Sequence, residues 1–195
     1  MGEEEYMAKV RVFNQVSVDG FFCDVQGDVN WAHKFDPEWM DFVASNASGN
    51  GVLLFGRKTF QMMEAAWTSP MAAKMNPALA ERMTQLPKVV FSRTLETVGW
   101  ANTTLIRDDL LGAVRELKRL EGPDRVVMGS GSVVAQLTQA GLVDEYQLVL
   151  NPIILGRGRT LFEGLEPKRA LSLKKSRPFS NGNVVLWYEP VASRG

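Results

Sequence analysis

The sequence predicts an α/β domain in which a mostly parallel sheet is followed by a C-terminal antiparallel extension. Three short apolar runs, at residues 52–55, 88–92 and 125–128, alternate with helical patterns, which is typical of parallel strands buried on both faces. In the last third of the chain, apolar and polar residues instead alternate on either side of Ser180-Asn181-Gly182-Asn183. Because Asn-Gly favours a type I′ turn, this segment predicts an antiparallel hairpin.

The other elements are predicted in chain order from periodicity and from cap residues. The first strand covers residues 10–18, in which every second residue from Val10 to Val18 is a valine except Asn14. Asp19-Gly20 follows this strand as a turn. Helices begin at Asp36-Pro37 and Asn76-Pro77, because an Asp or Asn cap before proline suits a first helical turn. Further helices are predicted at residues 57–64, 110–120 and 132–140, a strand at 146–150, a short extended piece at 103–106 and a surface loop at 70–77.

Length and composition predict one packed domain over residues 7–190, with flexible termini at 1–6 and 191–195. The chain has 195 residues, of which 45% are hydrophobic and 23% charged, so disorder and fibrous repeats are poor interpretations. Lys and Arg number 22, as do Asp and Glu, which removes the basic surface expected of a general nucleic-acid binder. Any anion must therefore be bound locally.

The single cysteine, Cys23, and the single histidine, His33, exclude further classes of site. An intrachain disulfide is impossible, and no Cys and His cluster is available for zinc, so we expect no metal. The acidic N-terminus lacks the pattern of a signal peptide, and no run of 18 apolar residues is present. We therefore expect a cytoplasmic protein that contacts neither membrane nor nucleic acid.

The most informative feature is the small or basic segment that follows each apolar strand. Gly56-Arg57-Lys58-Thr59 follows the first run, Ser92-Arg93-Thr94 the second, and Gly129-Ser130-Gly131-Ser132 the third. Ligands of open α/β sheets bind beyond the carboxyl ends of the strands, where helix N-termini also favour phosphate. Arginine is present at two of these strand ends and no acidic residue is available for a ribose hydroxyl. The segments therefore favour NADPH over NADH, while each of them taken alone also fits an ordinary structural turn.

The order of these motifs resembles the dihydrofolate reductase superfamily. It is most similar to the branch that contains the reductase domain of the riboflavin-biosynthesis deaminase-reductase and its stand-alone bacterial relatives. Ser17-Val18-Asp19-Gly20 and Leu155-Gly156-Arg157-Gly158 also match, and the similarity extends from about Val10 to Tyr188. The resemblance implies an NADPH-dependent reductase with a three-layer dihydrofolate reductase-like fold, helices on both faces of the sheet and a homodimeric assembly.

The resemblance also implies a role for each motif. Gly56, Arg57, Lys58 and Thr59 would lie at the cofactor phosphates, Ser92 and Arg93 at the adenosine 2′-phosphate, and Gly129, Ser130, Gly131 and Ser132 at the pyrophosphate, with Phe91 and Met128 at the strand ends before them. Val16, Ser17 and Gly20 would lie near the nicotinamide. Asn14, Trp31 and Trp67 are candidates for contact with the substrate.

The proton donor and the substrate stay open. Asp19 and Asp41 are the candidate catalytic acids, with Asp36 and His33 as alternatives. The reaction implied is hydride transfer to a C=O or C=N of a small heterocycle, most like 5-amino-6-(5-phosphoribosylamino)uracil. Reduction of dihydrofolate or a pterin is one alternative, and a nucleotide-binding protein without turnover is another.

Overall fold

The computed structural model describes residues 8–32 and 36–191 of the chain. The strands are β1 Val10–Ser17, β2 Phe21–Cys23, β3 Val52–Gly56, β4 Lys88–Phe91, β5 Thr103–Ile106, β6 Arg125–Met128, β7 Glu145–Asn151, β8 Arg159–Thr160, β9 Leu171–Pro178 and β10 Val184–Pro190. The helices are α1 Pro37–Ser48, α2 Arg57–Trp67, α3 Pro70–Met75, α4 Pro77–Gln85, α5 Leu110–Arg119 and α6 Gly131–Gln139, with a short 3₁₀ helix at Asn30–Ala32. Residues 1–6 and 192–195, expected to be flexible, lie outside the described residues.

The central sheet has eight strands in the order β5-β4-β3-β6-β1-β7-β10-β9. Every neighbouring pair from β5 to β7 is parallel, whereas β10 is antiparallel to both β7 and β9. This arrangement confirms the predicted mostly parallel sheet with an antiparallel C-terminal pair. A second, two-stranded sheet, which the sequence did not predict, pairs β2 with β8.

Helices cover both faces of the sheet and form three layers with it. On one face, the valines of β1 and Val127 of β6 pack with residues of α5 and α6, including Val114 and Val134. On the other face, one cluster around Phe55, Phe60 and Met83 joins β3 and β4 to α2 and α4. A further cluster on that face packs Trp39 and other residues of α1 on β7 and β10.

The longest strand of the parallel region extends beyond one of its neighbours. β1 pairs with β6 only as far as Phe13, opposite Met128, but pairs with β7 as far as Ser17, opposite Asn151. The last part of β1, from Asn14 onwards, therefore has no strand on its β6 side. A gap opens there, at the carboxyl end of the parallel strands.

Two local expectations were wrong and one was incomplete. Residues 70–77 are not a loop, because the Ser69 hydroxyl accepts the Ala72 N–H and starts α3. Residues 103–106 are extended as predicted, and the structure adds that they form the parallel edge strand β5. The hairpin turn is not type I′, since Gly182 has a φ of +87° whereas Asn181 is not among the described residues with positive φ. Phe179 O accepts the Gly182 N–H, so Gly182 instead follows a tight turn through Ser180 and Asn181.

Candidate functional site

A cleft of about 1950 Å³ opens at the carboxyl ends of the parallel strands. Twelve residues predicted to bind the cofactor line it, namely Gly56, Arg57, Lys58, Thr59, Phe91, Ser92, Arg93, Met128, Gly129, Ser130, Gly131 and Ser132. Asn14 and Trp67, predicted to contact the substrate, line it as well. The three strand-end segments therefore meet in one cavity, because parallel neighbouring strands end at the same edge of the sheet.

Two helices present uncapped N-termini to this cleft. The N-cap residues, Gly56 for α2 and Ser130 for α6, form no side-chain cap hydrogen bond with the first turn of their helix. The first N–H groups of a helix have no partner within the helix and lie at its positive end. Both segments are therefore suited to bind an anion such as phosphate.

Two glycines allow these helix starts to approach each other. A Cβ on Gly56 would lie 1.9 Å from Ser130 Oγ and 2.8 Å from Ser130 Cβ. Gly129 has a φ of +65°, and a Cβ there would lie 2.7 Å from Thr59 Cγ2. Both positions require glycine for packing between the two turns, whether or not a ligand is bound.

Basic side chains surround the uncapped helix starts. Arg57, Lys58, Arg93, Arg107 and Arg159 line the cleft, and none of them forms an ion pair with a carboxylate of the described residues. Two of them donate side-chain hydrogen bonds within the described residues: Arg57 to Gln61 Oε1 at 3.3 Å, and Arg107 to the backbone oxygens of Leu95 and Glu96 at 2.6 and 2.9 Å. Arg57 and Arg93 are thus available to an anionic ligand.

Ser92 has a structural role in its turn. Its Oγ accepts the N–H groups of Thr94 and Leu95, at 3.2 and 3.0 Å, and its own N–H donates to Ile106 O. These bonds fix the turn that places Arg93 at the cleft.

Arg107 was not predicted as a site residue, although it follows β5 just as Arg93 follows β4. The reason is that residues 103–106 were not recognised as a parallel strand.

Adjacent residues of β1 face opposite halves of the cleft. Phe13 and Gln15 point toward α1, which contributes Trp39, Met40 and Val43 to the lining. Asn14 points to the opposite face, where α6 begins, because successive strand residues alternate. We call these regions the α1 half, lined by Phe13, Gln15, Met40, Val43, Met63 and Trp67, and the α6 half, lined by Asn14, Phe22, Gly131 and Val133.

Two side-chain amides on β1 have buried oxygens without partners. Asn14 Oδ1 and Gln15 Oε1 are both fully buried and accept no hydrogen bond from the described residues. Asn14 is 5% exposed and was predicted to bind substrate, but it lies in the α6 half, away from α1. Gln15 was missed, since the alternating pattern shows which face a residue occupies and not whether its amide finds a partner.

Asp19, predicted as a catalytic acid, does not line the cleft. Its carboxylate accepts the N–H groups of Leu155 and Gly156, at 3.1 and 2.7 Å, and so ties the turn after β1 to the loop before β8. The hydrogen bond with the Ser17 hydroxyl, together with these backbone bonds, lowers the pKa of Asp19 below its ordinary value. The group is held as a carboxylate, which makes it a poor proton donor.

The neighbouring residues predicted near the nicotinamide also lie outside the cleft lining. Val16 packs in the core beside α6, and Ser17 is fully buried, with its Oγ accepting the Phe21 N–H. Gly20 occupies the turn with a φ of +87° and donates to Ser17 O. These three residues shape the chain path after β1 rather than the cavity surface.

Two further predicted residues are not brought to the cleft. Asp41 lies exposed on α1 and is absent from the lining, and Trp31 donates its Nε1–H to Asp28 O in the 3₁₀ segment. Asp36 caps α1 instead, through a bond from the Trp39 N–H. His33 lies outside the described residues.

The carboxylate that does line the cleft from the loop after β2 is Asp28, which accepts hydrogen bonds from the backbone and side-chain nitrogens of Asn30. Cys23 also lines the cleft, and burial raises the pKa of its thiol, so it stays protonated.

Within residues 8–32 and 36–191, no group of His, Cys, Asp and Glu is arranged to hold a metal ion. In the same ranges, no helix has the length and apolar character needed to span a bilayer.

The family model of the RibD C-terminal domain matches residues 8–185. The chain belongs to the RibD C-terminal domain family. Among the relatives of this family member is the uncharacterised protein YyaP of Bacillus subtilis (strain 168), which is 30% identical over 179 residues and aligns with 89% of this chain and 90% of its own length. The match confirms the resemblance deduced from the strand-end motifs.

Solved structures show that this RibD C-terminal domain has a dihydrofolate reductase-like fold. A Shewanella sp. PV-4 protein assigned to riboflavin biosynthesis superposes with a TM-score of 0.73 at 23% identity, covering 94% of this chain and 99% of that one. Dihydrofolate reductase from Enterococcus faecalis, complexed with NADP(H) and RAB-propyl, superposes with a TM-score of 0.63 at 13% identity, covering 93% and 96%. The fold is of the reductase type, as the sequence predicted.

Proposed function

We propose that the protein is an NADPH-dependent reductase that transfers hydride to a C=O or C=N of a small heterocyclic substrate. The observation that supports this most is the meeting, in one cleft, of two helix N-termini without side-chain caps and two arginines that form no ion pair with a described carboxylate. A reductase-type fold and membership of the RibD C-terminal domain family agree with it. The Enterococcus dihydrofolate reductase is the protein that holds NADP(H). We propose that this chain binds the same cofactor.

The residues of the cleft fit a phosphorylated dinucleotide. The N–H groups at the starts of α2 and α6 would donate to the pyrophosphate, and the glycines at 56 and 129 allow these two helix starts to pack close together. Arg57 and Arg93 would bind the phosphate monoester that distinguishes NADPH from NADH. Asp108, next to Arg107 at the end of β5, also lines the cleft. Because a carboxylate at a strand end favours the ribose hydroxyl of NADH, the difference in affinity between NADPH and NADH is the informative test.

The bound nicotinamide would supply a hydride, and the protein would orient it against the substrate and exclude water. Hydride transfer to a C=O or C=N also consumes one proton, and gives an alcohol or an amine while NADPH becomes NADP⁺. With Asp19 and Asp41 outside the cleft, we propose that this proton comes from water admitted at the cleft mouth. The placement of Asp41 also argues against the dihydrofolate alternative, which needs a carboxylate of α1 in the site.

Parallel titrations of NADPH and NADH, monitored through the five tryptophans, test the proposal. We expect NADPH to bind at micromolar or tighter dissociation constants and NADH to bind clearly more weakly. NADPH binding without its oxidation across a panel of pterins, folates and ribosylaminopyrimidines would favour the nucleotide-binding protein without turnover. Absence of binding by either cofactor would refute the proposed function.

A further inference from the structure

Arg107 forms part of the outer wall of the cleft, at one edge of the central sheet. It follows β5, the last strand of the sheet on that side. Phe91 of β4 lies opposite Ile106 of β5, so Ser92 and Arg107 come next, side by side on the two strands. The Ser92 N–H donates to Ile106 O at 3.0 Å, which keeps the two strand ends together. Arg107 therefore adjoins the turn that bears Arg93.

The guanidinium of Arg107 is held in place by backbone oxygens and not by a carboxylate. Its two terminal nitrogens donate to Leu95 O at 2.6 Å and to Glu96 O at 2.9 Å. Although Asp108 and Asp109 follow it in the chain, Arg107 forms no ion pair with a carboxylate of the described residues. Its positive charge is thus available to a ligand.

The same guanidinium has donors to spare. An arginine side chain carries five N–H groups, and the bonds to Leu95 and Glu96 occupy two of them. The other three have no hydrogen-bond partner within residues 8–32 and 36–191. Because the group is planar and its donors form a fork, it matches the oxygens of a phosphate monoester.

Arg93, on the neighbouring turn, lacks such contacts. Its side chain forms no hydrogen bond or ion pair within the described part of the chain. An arginine of this kind loses rotamer freedom when it binds a ligand, whereas the side chain of Arg107 is already ordered in the folded protein. Arg107 should therefore contribute at least as much as Arg93 to the binding of a phosphate at this edge.

We propose that Arg107 is the residue that makes the cofactor site specific for a phosphate monoester. Its guanidinium would donate to the monoester from the outer wall of the cleft, and its bonds to the backbone would keep residues 92–96, and with them Arg93, in position. This inference rests on the proposed function, in which the pyrophosphate lies at α2 and α6 and the 2′-phosphate lies further out, at the ends of β4 and β5.

The test uses adenosine 2′,5′-bisphosphate and adenosine 5′-monophosphate, two probes that differ only in the 2′-phosphate. Each is titrated by calorimetry into the wild type and into Arg107→Ala. We expect Arg107→Ala to weaken binding of the bisphosphate by at least about tenfold, which corresponds to the loss of one charged hydrogen bond. Binding of the monophosphate should change by less than about twofold. Equal losses for the two probes would overturn the inference.

A double variant separates direct contact with the phosphate from an effect through Arg93. If Arg107 only positioned Arg93, Arg107→Ala would cause no further loss of bisphosphate binding in a protein that already carries Arg93→Ala. We expect a further loss of about threefold or more, since the guanidinium of Arg107 would touch the phosphate itself. No further loss would refute that contact.

Arg107→Lys keeps the charge and removes the planar fork that spans the two backbone oxygens and the phosphate. We expect it to lose most of the preference for the bisphosphate, and full retention of that preference would show that a charge alone suffices. This variant also supplies the comparison if Arg107→Ala is unfolded at the temperature of the titration. Arg119→Ala, which removes an exposed arginine outside the cleft lining, is the matched control and should leave the binding of both probes unchanged.

Failure of this inference is distinguishable from failure of the proposed function. If wild type binds NADPH more tightly than NADH but Arg107→Ala leaves this difference intact, the cofactor site stands and the role of Arg107 is refuted. If wild type binds neither cofactor, the proposed function fails and the inference that depends on it fails with it.

Discussion

The α-helices of the described residues begin in two different ways. In α1, α3, α4 and α5, a side-chain oxygen of Asp36, Ser69, Asn76 or Asp109 accepts an N–H of the first turn. In α2 and α6 no side chain does so, and both of these helices open onto the cleft. A capped helix satisfies its own first turn, whereas an uncapped one is less stable and leaves donors for an anion.

The contrast is sharpest between α5 and α6, which both begin at the cleft. Their N-cap residues have similar left-handed backbones, with φ of 50° at Asp109 and 67° at Ser130. Asp109 nevertheless accepts the Gly112 N–H at 2.9 Å, while the Ser130 side chain accepts nothing from α6. The same local geometry thus serves stability in one helix and leaves donors free in the other.

Gly56→Ala should have the largest effect, because it forces apart the two uncapped helix starts. The new Cβ would meet both Oγ and Cβ of Ser130, so rotation of the hydroxyl cannot relieve the clash. We expect loss of detectable NADPH binding and a destabilisation of about 1–3 kcal/mol from overpacking, measured by tryptophan titration and thermal unfolding. Gly49→Ala, where a Cβ would meet nothing within 4 Å, should change neither quantity.

Ser130→Asp would convert the start of α6 into the capped type seen at α5. The carboxylate would interact favourably with the helix dipole, but its larger side chain must fit beside Gly56, so the effect is read in NADPH affinity rather than in stability. The same charge would repel phosphate, and NADPH binding should weaken by at least about tenfold. Ser130→Asn, which can cap without a charge, is the control, and an unchanged NADPH affinity in Ser130→Asp would refute the anion-binding role of α6.

Arg57→Ala and Arg93→Ala test the cations beside the uncapped starts. If each arginine makes a charged hydrogen bond to phosphate, each change should weaken NADPH binding by about 1.5–3 kcal/mol and affect NADH less. Arg119→Ala, on the exposed face of α5 far from the lining, should not alter either affinity. Equal losses for NADPH and NADH would place these arginines at the pyrophosphate rather than at the 2′-phosphate.

Asn76→Ala should show the opposite behaviour, because it removes a cap at a helix outside the proposed cofactor site. The Leu79 N–H would lose its partner, and unfolding should become easier by about 1 kcal/mol. NADPH affinity should stay at the wild-type value. Asn76→Asp, which keeps an accepting oxygen, should restore most of the stability in thermal unfolding.

Asp36→Asn should have the smallest effect, visible only in acid. Hydrogen bonds from the Ser180 hydroxyl and the Trp39 N–H lower the pKa of Asp36 below its ordinary value. Such a group stabilises the fold above its unfolded pKa, and this contribution is lost as the pH falls through the lower, folded pKa. The wild type should therefore lose stability below roughly pH 4 more steeply than Asp36→Asn, as measured by denaturant unfolding at several pH values.

Sequence reasoning located the candidate site but not every residue role. Gly56, Arg93 and Gly129 could be found because each follows an apolar strand, and parallel strands bring their carboxyl ends together. The structural bonds of Asp19 could not be predicted, because its partners, Leu155 and Gly156, lie far along the chain. The strand β5 was missed because four residues give too little pattern to separate an edge strand from a loop.

The sequence by itself determined the mostly parallel sheet, the cap residues Asp36 and Asn76 and the edge of the sheet at which the candidate cleft opens. These features depend on periodicity and on short-range backbone preferences, which neighbouring residues specify. Only the tertiary structure decided that Ser130 leaves its helix uncapped and that the amide oxygen of Gln15 is buried without a partner among the described residues. A side chain's hydrogen-bond partners are contributed by elements that are distant in sequence, so they exist only once the layers have packed.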